Sequence, residues 1–128
     1  PLAPQVEVAL KTMDDRIEAT GSIGEIAAAA GLSRRALERL FRRELGRTPS
    51  EVYLARRLDR GQRLLRHTDL PVREVAIACG FVSTPHFCRA YKRRFGLPPG
   101  GDRHLDPALV GREIPLVGAP APAVSPDR

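Results

Sequence analysis

An internal repeat restricts the folds open to this chain more than any other feature of its sequence. Residues 23–27 recur 49 positions later as residues 72–76, and Gly31 recurs as Gly80. After one inserted residue the offset becomes 50, and the match continues as far as Pro99. Each copy contains a short helical segment, a turn that opens with glycine and a longer helical segment. This order is typical of a helix-turn-helix unit.

Capping signals divide residues 5–99 into six helices, each with apolar residues at intervals of three and four. Ser22 and Glu25 form a capping box at the start of the second helix, and Thr48 and Glu51 form another at the start of the fourth. We expect the fourth helix to be the longest. The predicted helices are one with an apolar stripe at Val6, Leu10, Met13 and Ile17, and five more over residues 22–30, 33–45, 48–67, 71–79 and 83–95.

These elements predict an all-α fold with two helix-turn-helix subdomains joined by a long linker helix, a homeodomain-like pair. We expect the first subdomain over residues 1–48, the linker helix over 49–67 and the second subdomain over 68–100. The remaining residues, 101–128, are expected to be mostly disordered, because nine of the last 29 residues of the chain are Pro or Gly.

Positive charge is concentrated in the repeated region. Residues 33–95 contain sixteen Lys and Arg against six Asp and Glu, whereas the rest of the chain contains five against nine. Arginine predominates, and its planar guanidinium suits phosphate groups and guanine edges. The excess therefore indicates a polyanionic partner. A high-GC genome that prefers arginine codons, together with a merely soluble helical surface, explains the composition equally well.

The longer helix of each copy separates apolar from polar side chains. One side carries the expected core residues, which are Leu37, Leu40, Phe41 and Leu45 in the first copy and Phe87, Ala90, Tyr91 and Phe95 in the second. The other side carries Arg35, Glu38, Arg39 and Arg42 in the first copy and Pro85, Cys88, Arg89 and Lys92 in the second, with Thr84 and His86 near the helix start. We interpret this polar side as a surface that reads bases. The alternative is a charged outer face without a ligand.

Three segments carry a family resemblance: AAAAGLSRRALERLFRRELGRTP (27–49), AIACGF (76–81) and FCRAYKRRFGLPP (87–99). Together they resemble the DNA-binding domain of the AraC/XylS family, and the resemblance covers about residues 5–100. The last two segments are specific, because they combine a Cys-Gly-Phe turn, an aromatic-x-Arg-x-aromatic-Lys-Arg-x-Phe-Gly core and a proline ending. The resemblance implies a bacterial transcription regulator whose two recognition helices, here residues 33–45 and 83–95, enter successive major grooves.

The resemblance also implies roles for individual residues. Base-reading positions are held by Arg35, Glu38, Arg39, Thr84, Pro85, His86, Cys88 and Arg89. Positions suited to phosphates are held by Ser33, Arg34, Arg42, Arg43, Ser83, Lys92 and Arg93. Arg39 and Arg89 suit guanine O6 and N7, and Glu38 suits a cytosine amino group. Pro85 departs from the family pattern and either contacts a thymine methyl or reads nothing, and Cys88 is a weak reader.

The linker helix and the chain after it raise two further expectations. Eighteen residues from Pro49 to Arg66 span about 27 Å as a helix, against about 34 Å between major grooves on one face of DNA. If this separation falls short, either the DNA bends or one recognition helix sits shallowly.

Family members commonly add a short final helix. Here Gly100 and Gly101 each weaken it by about 1 kcal/mol, so we expect it to be absent or frayed.

Other chemistry is weakly indicated. Cys79 and Cys88 are too few and too oddly spaced for a disulfide framework, which is typical of a reducing cytosol. Together with His67 and His86 they lack the spacing of a structural zinc site, and we predict neither a metal nor a cofactor. Cys88 is interpreted as a small filler, with an oxidant sensor of lowered thiol pKa as the alternative. No nucleophilic triad, phosphate loop or carboxylate pair indicates an enzyme.

The predicted function is sequence-specific binding of double-stranded DNA and regulation of transcription in the cytoplasm. The alternative is a helical module that binds an acidic protein such as RNA polymerase. The start at Pro1 rather than Met predicts a fragment that follows an N-terminal effector or dimerisation domain. Resemblance to one subgroup implies that this domain is similar to class I glutamine amidotransferases or DJ-1. No apolar run is long enough to span a membrane, so no membrane partner is expected.

Overall fold

The computed structural model describes residues 1–19 and 21–104. Within these ranges the chain forms seven helices: α1 (Pro4–Asp15), α2 (Ile23–Ala29), α3 (Arg34–Leu45), α4 (Pro49–His67), α5 (Val72–Ala78), α6 (Thr84–Phe95) and α7 (Pro99–Arg103). The same ranges contain no strand, and the all-α prediction is confirmed. Two compact units divide the chain, one over Pro1–Arg57 and a second that starts at Leu58. Residues 105–128 of the predicted tail lie outside the described residues.

Helix starts follow the capping signals in the sequence. The Ser22 hydroxyl accepts the Glu25 N–H and the Glu25 carboxylate accepts the Ser22 N–H, both at 3.1 Å. Thr48 and Glu51 make the same reciprocal pair at 3.1 and 2.9 Å. The hydrogen bond from the Thr48 backbone lowers the pKa of Glu51. Both capping boxes therefore form as predicted, and each satisfies two N–H groups at a helix start.

The repeat in sequence is also a repeat in backbone geometry. Gly31 and Gly80 open the two turns with φ of 73° and 83°, in the left-handed region that side chains with a Cβ disfavour. The N–H groups of Leu32 and Phe81 then each donate to the carbonyl five residues earlier, at 2.9 Å in both units. Each turn thus closes its short helix in the same way.

The core of the first unit lies between α1, α2, α3 and the start of α4. Val6, Ala9 and Met13 bury one side of α1, and Leu37 and Phe41 bury one side of α3. Of the other core residues predicted on α3, Leu40 and Leu45 are half-buried. At the start of α4, the Tyr53 hydroxyl donates to the Arg16 carbonyl at 2.6 Å. This bond ties the first part of α4 to the segment after α1.

The core of the second unit is aromatic. The ring of Phe87 lies 5.2 Å from that of Phe81 and 5.6 Å from that of Tyr91, and the Tyr91 and Phe95 rings are 4.5 Å apart. Gly61 of α4 approaches this stack so closely that a Cβ there would lie 3.0 Å from the Phe87 ring. A glycine inside the longest helix is explained by this contact rather than by a bend or a cap.

The second half of α4 packs into the core of the second unit in the way that α1 packs into the core of the first. Leu58, Gly61 and Leu65 are buried at intervals of three and four, the intervals that separate the buried residues of α1. In both helices the middle residue of the three is small, Ala9 or Gly61, and admits a close neighbour. One helix therefore completes two hydrophobic cores.

The short final helix forms, contrary to our expectation that it is absent or frayed. α7 covers Pro99–Arg103, so residues 101–103 are helical and do not belong to a disordered tail. Asp102 is only 1% exposed and accepts hydrogen bonds from α4 and α6. Arg103 donates to the carbonyls of Leu65 and Thr68 at 3.1 and 3.2 Å. These contacts outweigh the low helix propensity of the two glycines.

Candidate nucleic-acid interface

The polar side of α3 is built by burial of its opposite side. Leu37 and Phe41 point into the core, so the predicted base readers on α3 lie on the accessible side: Arg35 and Arg39 are exposed and Glu38 is half-exposed. Ser33 caps the helix, because its hydroxyl accepts the Ala36 N–H at 3.1 Å. Its O–H hydrogen stays available for a further acceptor, such as a phosphate oxygen.

Most arginines of α3 make no hydrogen bond or ion pair within the described residues, although the charge of Arg42 helps to lower the pKa of Glu51. In residues 1–19 and 21–104, Arg35, Arg39, Arg42 and Arg43 make no side-chain hydrogen bond or ion pair. Glu44, the other acid of α3, instead accepts the Ala3 N–H at 2.9 Å. A charged face without a ligand is usually laced with pairs four residues apart. The concentration of unpaired guanidinium groups favours an external polyanion over that alternative.

One ion pair on this face joins two residues to which we gave separate roles. The Arg34 Nε lies 3.3 Å from a carboxylate oxygen of Glu38, one helical turn away. Arg34 is a predicted phosphate ligand and Glu38 a predicted base reader. A carboxylate held by a neighbouring arginine is partly neutralised and fixed in position, and it still has lone pairs for a cytosine amino group.

The first turn of α6 presents a different kind of surface. Ser83 caps the helix by accepting the His86 N–H at 3.0 Å. The His86 ring lies edge-on to the Phe81 ring, with their centroids 5.2 Å apart, and remains exposed. Thr84 is half-buried and Pro85 is exposed. The N-terminal end of α6 is thus less charged than the polar side of α3.

Cations occupy the remainder of the polar side of α6. Arg89, Lys92 and Arg93 are exposed and, within the described part of the chain, make no side-chain hydrogen bond or ion pair. Arg94 is different, because it donates to both carboxylate oxygens of Asp59 at 2.9 and 3.2 Å. Our predicted DNA contacts included the three unpaired cations and omitted Arg94.

Cys88 behaves as a packed thiol. Burial raises the pKa of its thiol, which is half-buried on α6. This direction is opposite to the lowered pKa on which the oxidant-sensor alternative depends, because a less acidic thiol has less of the reactive thiolate at neutral pH. In the part of the chain that the structure describes, no group of three or more His, Cys, Asp or Glu side chains is arranged to hold a metal ion.

Our prediction from sequence missed the carboxylate of Asp102, which binds the buried side of α6. Asp102 of α7 accepts a hydrogen bond from the Tyr91 hydroxyl of α6 at 2.5 Å and from Gln62 of α4 at 3.1 Å. Arg66 of α4 adds two bonds at 2.7 and 3.2 Å. Burial, with this hydrogen bond, raises the pKa of Tyr91. The sequence carries no repeat signal for Asp102, because the match between the two copies ends at Pro99.

Comparison with known proteins agrees with this architecture. A family model for a helix-turn-helix domain matches residues 26–104. The crystal structure of a transcriptional regulator with an AraC-type DNA-binding domain, from Chromobacterium violaceum, is 38% identical, with a TM-score of 0.76 over 85% of this chain and 94% of that one. This chain belongs to the AraC-type helix-turn-helix family. The family resemblance read from the sequence is confirmed.

Two further relatives are transcription regulators. The DNA-binding domain of AdpA, a global transcriptional factor solved in complex with a target DNA, is 30% identical, with a TM-score of 0.73 over 85% of this chain and 95% of that one. The transcriptional regulator GbdR of Pseudomonas aeruginosa is 39% identical over 91% of this chain and 31% of its own length. The chain thus spans about a third of that relative. No helix in the described ranges is both long and apolar enough to cross a membrane.

Proposed function

We propose that this chain is the DNA-binding domain of a transcription regulator and that it recognises a specific duplex site. The observation that carries the proposal is the set of exposed, unpaired cations on the polar sides of α3 and α6, each facing away from a buried core. The DNA complex of AdpA, a relative with the same fold, supports duplex DNA as the polyanion. Such a protein acts where the chromosome is, in the bacterial cytoplasm.

On α3 we assign base reading to Arg35, Glu38 and Arg39. An arginine donates two parallel hydrogen bonds to guanine O6 and N7, and a carboxylate accepts one from a cytosine amino group. Arg42 and Arg43, nearer the end of α3, are assigned to phosphates together with Arg34 and the capping Ser33. Phosphate contacts place the helix on the duplex without selecting its sequence.

On α6 base reading is assigned to Arg89 and to the first turn, which contains Thr84, Pro85, His86 and Cys88. Pro85 and Cys88 donate no strong hydrogen bonds, so we expect this unit to discriminate fewer base pairs than the first. Lys92, Arg93 and the capping Ser83 are assigned to phosphates. Because one chain carries both units, binding of the first raises the effective concentration of the second at its own groove.

The test begins with selection of bound duplexes from a random pool, followed by sequencing. The enriched site is then titrated with the chain and with two variants. Arg39→Ala should reduce discrimination at one or two base pairs by about 1 to 3 kcal/mol. Arg42→Ala should weaken binding to all sequences nearly equally and flatten the dependence of affinity on salt by about one unit of slope.

Arg63→Ala is the matched control. Arg63 is exposed on the side of α4 opposite the buried Leu58, Gly61 and Leu65, and its replacement removes the same charge from a residue that belongs to neither recognition helix. It should leave the preference for the selected site unchanged. If Arg39→Ala weakens specific and random duplexes equally, Arg39 is not a base reader. If no sequence is enriched and the chain instead retains an acidic protein such as RNA polymerase, the proposal fails.

A further inference from the structure

The turn before α6 contains a side chain that has no part in the fold. Val82 is apolar, yet it is 96% exposed. It stands one residue before the N-cap Ser83, where an apolar residue ordinarily packs against the fourth residue of the helix. That fourth residue is Phe87, and its ring contacts Phe81 at 5.2 Å instead. Val82 is left outside the hydrophobic contact that its position normally makes.

Val82 is the residue that the second copy of the repeat has in addition. The connection from α2 to α3 has four residues, 30–33, whereas the connection from α5 to α6 has five, 79–83. Leu32 and Phe81 correspond, because each N–H donates to the carbonyl five residues earlier. The first unit therefore has no counterpart of Val82, and a fold that forms without this residue does not require it.

The surroundings of Val82 belong to the proposed interface. Thr84, Pro85 and His86 follow it in the first turn of α6, and the N-terminal residues of a recognition helix are those that reach base edges. Val82 and Pro85 are both exposed apolar residues three positions apart, and the exposed cations Arg89 and Lys92 follow on the same helix as Pro85. One valine is far smaller than the area that a specific protein partner covers. In the major groove, by contrast, the thymine C5-methyl is a single apolar group of matching size.

We infer that Val82 is a further specificity-determining residue, which contacts the C5-methyl of a thymine in the DNA site of the second unit. The inference rests on the proposed function and extends it to a residue outside the recognition helix. It assigns the discrimination to an apolar contact, which disfavours cytosine and deoxyuridine at one position without any hydrogen bond.

Removal of single methyl groups from the DNA tests this contact directly. Each thymine of the selected site is replaced in turn by deoxyuridine, and dissociation constants are measured for the chain and for Val82→Ala. We expect one replacement to weaken binding of the unsubstituted chain about fourfold, the amount that corresponds to one buried methyl group. Val82→Ala should bind the original site about fourfold more weakly and should be indifferent to deoxyuridine at that position.

Ile77→Ala is the control for loss of an exposed apolar side chain. Ile77 is 59% exposed on α5, before the turn, and its variant should keep the methyl dependence of the unsubstituted chain. Circular dichroism should show that both variants fold, because neither side chain is buried.

Four results would overturn the inference. Val82→Ala keeps its dependence on the methyl group, or it weakens every duplex equally, or it leaves DNA affinity unchanged while transcription from the site falls, as a protein contact predicts. A selected site that responds to no methyl replacement also refutes it, while the proposed function stands. Failure of the proposed function is a different result, in which the random pool yields no preferred site.

Discussion

Replacement of Asp102 by alanine is expected to cost a large part of the stability of the second unit. The buried carboxylate accepts bonds from Tyr91, Gln62 and Arg66. Its loss leaves the buried Tyr91 hydroxyl without an acceptor, which costs about 1 to 3 kcal/mol. The half-buried Gln62 amide loses the same acceptor and adds a smaller cost, because water reaches it in part. The Arg66 side chain is 37% exposed and regains water, so it adds little. We therefore expect Asp102→Ala to lower the free energy of unfolding by about 2 to 4 kcal/mol.

A double-mutant cycle separates this explanation from simple loss of packing. Tyr91→Phe alone should cost about 1 kcal/mol, because it breaks the same hydrogen bond from the other side. In the Asp102→Ala background it should cost nothing or stabilise, because it removes a hydroxyl that no longer has a partner. Urea unfolding followed by far-ultraviolet circular dichroism measures all four proteins. Strictly additive effects, or a loss below about 0.5 kcal/mol for Asp102→Ala, would refute the reasoning.

Two further predictions concern glycine and cysteine positions. Gly61→Ala should lower the free energy of unfolding by about 1 kcal/mol, because overpacking against the Phe87 ring outweighs the gain in helix propensity. Gly24→Ala, whose Cβ would meet only the Ser22 hydroxyl at 3.7 Å, should instead stabilise by about 0.5 kcal/mol, and equal signs in urea unfolding would contradict this pair. Cys88 should react with iodoacetamide at pH 7 more slowly than a free cysteine, because burial raises its pKa; labelling followed by mass spectrometry measures the rate, and faster labelling would show a thiolate.

The parts of the fold that follow from local interactions were predictable from the sequence. Capping boxes join residues three apart, and the turn glycines act on their own backbone, so the bounds of α2 to α6 could be predicted to within a residue. The first helix was predicted from its apolar stripe, without bounds. The seventh helix could not be predicted, because the local signal at Gly100 and Gly101 opposes it. Its stability comes from Asp102 and Arg103, which bind the Tyr91 hydroxyl 11 residues away and groups within residues 62–68 that are 35 to 40 residues away in sequence.

The candidate interface was predictable in outline for a similar reason. Helical spacing alone separates the buried Leu37 and Phe41 from the exposed Arg35 and Arg39. The spacing does not tell which cations are already paired. Arg94 donates a hydrogen bond to Asp59, which is 35 residues away in sequence. Only the folded structure shows that this guanidinium already has a partner. The assignment of single residues to bases or phosphates stays a prediction.

The Asp102 network has a consequence for anyone who treats the two copies as interchangeable. Phe41 and Val52 stand where Tyr91 and Asp102 stand in the second copy, and both are buried. A consensus sequence averaged over the two halves, or a chimaera that moved the aspartate alone, would place a carboxylate in an apolar interior with no donor to meet it. The two halves differ at both members of the Tyr91–Asp102 hydrogen bond, so idealised versions of this chain have to be built from whole sets of contacting residues.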